Sequence, residues 1–70
     1  MYPNPSKGVF NIEGISGTAD ITLFNTFGEK VLNKEINLPG LIDLTGQPKG
    51  IYLIRIITDD GIYFDKLIVD

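Results

Sequence analysis

Apolar and polar positions alternate with period two over most of this chain, and clusters of Gly, Pro, Asn and Asp separate the alternating runs. No window of helical length carries an i, i+3, i+4 apolar stripe free of Gly or Pro. The pattern predicts an all-β protein. Its first strand spans residues 8–13, with Phe10 and Ile12 alternating against Asn11 and Glu13, and a Gly14-Ile15-Ser16-Gly17 loop follows. A second strand, residues 19–25, puts Ile21 and Leu23 on one face. The stretch Asn25-Thr26-Phe27-Gly28 reads as a hairpin turn with Gly28 where positive φ is needed, leading into a strand at residues 29–36. Pro39-Gly40 breaks the pattern before a short strand at 41–44. Two strong strands, 51–58 and 62–69, close the chain around Asp59-Asp60-Gly61.

Charge suggests a register for that last hairpin. A two-residue loop at Asp60-Gly61 sets Arg55 opposite Lys66, whereas a three-residue loop with Gly61 in the left-handed region sets Arg55 opposite Asp65. Opposite charges across a pair help, and like charges hurt, each by a fraction of a kcal/mol, so the three-residue loop is the expected one.

Six or seven short strands in a chain this small imply a compact antiparallel β-sandwich. The segment from Leu44 to Tyr52 sharpens the expectation. A Leu ending one strand, a Pro/Gly turn and a Tyr near the start of the next strand resemble the tyrosine corner of immunoglobulin-like sandwiches, in which the phenol bonds back to upstream backbone. Equally, Tyr52 reads as a plain core aromatic.

Composition narrows the chemistry. A chain of 70 residues buries only about 60% of the surface its unfolded form exposes, enough for one thin core and one domain. It contains no Cys and no His, so neither disulfides nor the usual zinc ligands brace it, and the commonest general base and most reactive nucleophile are missing. Ser6, Ser16, Thr22 and Thr45 have no partner base in the sequence, and a Ser-centred active site has little support. The expectation is a non-enzyme without cofactor or metal.

The net charge of −3 lacks the basic footprint that nucleic-acid backbones require. The longest apolar stretch, residues 51–57, is interrupted by Arg55 and falls far short of the roughly 20 residues that cross a bilayer. The start, MYPNPSKG, has no apolar signal-peptide core and reads as the beginning of an excised piece of a larger protein. Tyr2, Pro3, Asn4 and Pro5 form a stiff, extended lead-in, because each Pro fixes its own φ and biases the residue before it.

Taken in order, these pieces resemble the C-terminal sorting domains of proteins exported by the type IX (Por) secretion system of Bacteroidetes. The resemblance covers essentially the whole chain. Its carriers are the opening Tyr2, Pro3, Asn4, Pro5, Ser6 and Gly8, then Phe27-Gly28-Glu29-Lys30-Val31 at the first turn. The closing part is Leu44, Pro48-Lys49-Gly50, Tyr52 and Lys66-Leu67-Ile68-Val69. Asp70 departs from the basic or small residue with which members often end. The resemblance implies an immunoglobulin-like sandwich at the C-terminus of a larger cargo protein. It implies partners: an outer-membrane translocon that recognises the domain, and a sortase-like protease that removes it. The cargo, having crossed the periplasm, would end released or linked to an anionic lipopolysaccharide at the cell surface.

On that basis the candidate recognition residues are Tyr2, Pro3, Asn4, Pro5, Gly8, Gly28, Gly50, Tyr52, Leu53, Lys66, Leu67 and Val69. For the first motif a structural role, stiff presentation of the first strand, competes with recognition. In residues 51–58 both faces are apolar, Ile51, Leu53 and Ile57 on one and Tyr52, Ile54 and Ile56 on the other. A sandwich strand needs only one buried face, so the outward set, with Phe64 and Lys66 nearby, is expected to be read by the secretion machinery. A homo-oligomer or swapped dimer through an edge strand or this hairpin is the competing explanation. Asp59, Asp60 and Asp65 lack the ligand spacing of a known calcium loop and read as a solvated turn. The rival function is a carbohydrate-binding or adhesive accessory module, against which the absence of Trp counts.

Overall fold

The computed structural model describes residues 7–70, and within them there are four antiparallel strands and no helix. These are β1 (Val9–Phe24), β2 (Lys30–Asp43), β3 (Gly50–Thr58) and β4 (Gly61–Val69), hydrogen-bonded into one sheet in the order β2-β1-β3-β4. The all-β reading is correct. The count of six to seven strands is not: four are present among the described residues, because two predicted interruptions lie inside continuous strands.

The first is at residues 13–16 of β1. The ladder pairs Ile12 with Gly40 and resumes at Gly17 with Leu38, so four residues of β1 bulge opposite the single residue Pro39. The second is the Pro39-Gly40 break itself, where the Leu38–Pro39 peptide is cis and pairing continues on both sides. A break in alternation looks the same in sequence whether the chain leaves the sheet or bulges within it; only the partner strand distinguishes them.

The bulge also shapes the core. Only residues 20–24 of β1 pair with β3, so residues 9–12 and their β2 partners extend beyond the four-stranded part as a two-stranded ribbon. Phe10, Ile12 and Ile42 from the ribbon are fully buried in one cluster with Ile21, Leu23, Ile54, Ile56 and Leu67. The expected two-sheet sandwich is thus seen only as one sheet, whose ribbon and four-stranded part contribute to the same buried cluster. Burying each such side chain contributes about 1.5–3 kcal/mol.

Turn chemistry fixes the connections. The Asn25 carboxamide oxygen accepts hydrogen bonds from the amides of Phe27 (2.9 Å) and Glu29 (3.0 Å), and the amide of Gly28 donates to the Asn25 carbonyl at 3.0 Å. Gly28 has φ of 82°, so the predicted left-handed glycine is confirmed. In the last hairpin Thr58 pairs with Gly61, leaving a two-residue loop, Asp59-Asp60, and Arg55 stands opposite Phe64. The expected three-residue loop and its Arg55–Asp65 pairing are therefore wrong. The turn is braced by the Thr58 hydroxyl, which accepts from the Asp60 amide at 3.1 Å and donates to the Gly61 carbonyl at 3.4 Å. The observed register directs Leu67 and Val69 into the core. Those gains exceed the fraction of a kcal/mol in an exposed cross-strand ion pair.

Candidate functional site

The link from β2 to β3 packs closely. The Leu44 amide donates to the Gly8 carbonyl at 2.6 Å, and the Gln47 amide donates to the Leu44 carbonyl at 2.9 Å. Asp43 Oδ1 accepts from the Thr45 amide at 2.8 Å. Hydrogen bonds from the Thr45 side chain and amide hold the Asp43 carboxyl below the usual carboxylate range, and nearby Lys34 pulls the same way. Gly8 has φ of 136°, and a Cβ there would meet the Thr45 backbone nitrogen at 3.1 Å. Tyr52 is buried and its hydroxyl donates to the Pro48 carbonyl. The tyrosine-corner reading and the core-aromatic reading thus both hold.

The two faces of β3 differ as the alternation requires. Tyr52, Ile54 and Ile56 are buried, whereas Ile51 and Leu53 are 48% and 44% exposed. Register sets Ile68 opposite Ile51, Lys66 opposite Leu53, Phe64 opposite Arg55 and Ile62 opposite Ile57, all on the outward face. Phe64 and Ile62 are 62% and 59% exposed. Beyond Ile51 the face runs into a cleft of about 530 Å³ whose lining includes Phe27, Pro48, Lys49, Ile51 and Tyr52. Phe27, at the tip of the β1–β2 turn, is 86% exposed.

Arg55 faces the other way along the row, toward β1. Its guanidinium lies 5.4 Å from the centroid of the Phe24 ring and donates to the Thr22 hydroxyl at 3.4 Å. Thr22 is fully buried although it points to the outward face, because Arg55 and Asn33 cover it; Asn33 Nδ2 donates to Thr22 Oγ1 and to Asp20 Oδ1, both at 2.9 Å. Arg55 Nε is buried without a hydrogen-bond partner.

Among the described residues, the candidate recognition residues do not form one surface. Tyr2, Pro3, Asn4 and Pro5 lie outside the described residues. Tyr52, Leu67 and Val69 are core side chains, Gly8 is buried against Thr45, and Gly28 and Gly50 serve turns and strand starts. Leu53 and Lys66 are exposed and stand directly opposite each other. Phe27 and Lys49 carry no period-two signal, since both sit at turns, and they join the face only through the fold. Asp59, Asp60 and Asp65 do not come together as a metal-ligand group among the described residues.

A family model described as the secretion system C-terminal sorting domain matches residues 1–70. The chain belongs to that family. No curated protein matches it. As a C-terminal sorting signal for type IX secretion, the domain implies contact with the secretion machinery and export to the cell surface or beyond. Among the described residues of this sorting domain, no helix is long and apolar enough to cross a membrane. Exposed aromatics among the described residues include Phe27, Tyr63 and Phe64, and Tyr63 and Phe64, as neighbours on β4, project to opposite faces.

Proposed function

We infer that this sorting domain is a non-catalytic address, carried at the C-terminus of a larger cargo exported by a Bacteroidetes cell. The outer-membrane translocon recognises it after periplasmic transit, a sortase-like protease removes it, and the cargo is released or anchored at the surface. The folded-over sheet serves as a minimal immunoglobulin-like sandwich, stiff enough to present one face. Whole-chain membership of the sorting family carries the reading, and the exposed Leu53–Lys66 pair on an apolar face supports a contact role.

The test attaches residues 1–70, with native upstream sequence, to a fluorescent reporter bearing an export signal in a type IX-competent bacterium. Surface or extracellular reporter, trimmed of the domain, is expected. Reporter retained in the periplasm while a known sorting domain works in parallel overturns the assignment.

A further inference from the structure

β4 ends the sheet, with β3 as its one strand neighbour among the described residues. The two-residue turn closes on the pair Thr58–Gly61, which fixes the phase of the ladder. By alternation, Tyr63 and Asp65 turn their backbone N–H and C=O groups toward β3, and Ile62, Phe64 and Lys66 turn theirs away from it. The Lys66 amide agrees with that phase, since it donates to Asp65 Oδ1 at 2.8 Å rather than across the ladder.

The same contact limits the edge. Asp65 holds the Lys66 amide on one side, and the chain turns at Asp59-Asp60 on the other. Between them lie Ile62, Tyr63 and Phe64, all exposed and apolar. The devices that commonly blunt an edge, a Lys, a Pro or an inward charge, do not occur within these three residues.

We propose that this edge pairs antiparallel with the same edge of a second copy of the chain, about a two-fold axis through Tyr63. Ile62 of each copy exchanges both backbone hydrogen bonds with Phe64 of the other, and the two Tyr63 residues face each other at a non-hydrogen-bonded site. Two outward-turned residues flanking a central one are their own complement under a two-fold axis, which is why a second copy fits. Other registers do worse. A shift toward the C-terminus needs the Lys66 amide that Asp65 holds, and a shift toward the turn leaves only Ile62 against Ile62. In the proposed register Asp65 comes opposite Gly61, and no like charges stand directly opposite. The contact is small, so the dimer is weak and depends on concentration. It does not depend on the sorting function.

The chain contains no Cys, so single-cysteine variants report the register without background. In purified chain oxidised in air, Tyr63→Cys is expected to form a disulfide-linked dimer about tenfold faster than Ile62→Cys or Phe64→Cys, because only position 63 faces itself. A mixture of the Ile62→Cys and Phe64→Cys chains is expected to cross-link faster than either alone. Light scattering on the unsubstituted chain is expected to show a dimer by about 1 mM. Ile62→Lys and Phe64→Pro should each raise its dissociation constant about tenfold or more, one by charging the edge and the other by deleting a donor that β3 does not use. Ile51→Lys, which charges the same outward face away from the edge, should leave the dimer unchanged. Melting by circular dichroism shows which variants stay folded, and only those are compared.

A chain that remains monomeric at about 1 mM overturns the pairing, whatever the export test shows. Equal cross-linking at all three positions overturns it too, since collision rather than register would then join the chains. So does a dimer that Ile51→Lys dissolves while folded Ile62→Lys and Phe64→Pro keep it, because the contact would then lie on the sheet's face.

Discussion

The hydroxyl of Tyr52 donates to the carbonyl oxygen of Pro48, four residues earlier, while its ring fills the core beside Ile54 and Leu67. One side chain therefore pins the β2–β3 corner to the sheet. Tyr52→Phe keeps the ring and removes the bond, so it should cost about 1–2 kcal/mol in urea unfolding with little change in m-value. Tyr52→Ala, which also opens a cavity, should cost about 3–5 kcal/mol. Equal losses for the two would show that the hydroxyl, not the ring, holds the corner.

Gly8→Ala should destabilise the domain by about 1–3 kcal/mol, since positive φ and close approach act together. The added methyl meets backbone atoms of Thr45 at 3.1 and 3.3 Å, and backbone cannot swing aside as a flexible side chain can. Thermal melting by circular dichroism checks this. An unchanged melting temperature would leave recognition as the reason for a glycine here.

Asp43 makes the corner sensitive to acid. Its carboxyl titrates lower in the folded protein than in the unfolded chain because the charged form accepts hydrogen bonds from Thr45. The unfolded state therefore binds the proton more readily. The stabilisation is fully present above the unfolded value, near about pH 4, and disappears as pH falls through the lowered folded value. Asp43→Asn should melt below the wild type at neutral pH, and the gap should close toward about pH 2. A constant gap across that range would place its role elsewhere.

The contact of Arg55 with Phe24 is measurable by a double-mutant cycle. Arg55→Met, Phe24→Leu and the double variant should give a coupling of about 0.5–1 kcal/mol, as expected for a partly exposed cation on a ring face. Zero coupling would mean that Arg55 serves only to cover Thr22.

Period two and local turn signals were enough to show an all-β chain, the Gly28 turn and the corner from Leu44 to Tyr52, whereas both faces of β3 are apolar and only the structure shows that Tyr52, Ile54 and Ile56 are the buried set. The all-β reading, the turn and the corner each depend on residues adjacent or nearly adjacent in sequence: alternating side chains, a glycine with positive φ, a phenol reaching back four residues. The Tyr-Pro-Asn-Pro start and the closing Lys66-Leu67-Ile68-Val69 made the sorting family recognisable for the same reason, as ordered local motifs.

What the sequence left undecided were pairings between distant residues. Whether residues 13–16 leave the sheet or bulge within it depended on Pro39 across the ladder. The last hairpin took its register from the Thr58 turn and the burial of Leu67 and Val69, against a weak charge preference. Arg55, expected to face β4 for an ion pair, is held by Thr22 and Phe24 on β1. Phe27 and Lys49, from separate turns, meet Ile51 at one cleft only when β1 lies beside β3. Local conformation follows from local sterics and hydrogen bonding, whereas the cleft where Phe27, Lys49 and Ile51 meet exists only once the strands choose neighbours by burying their shared core.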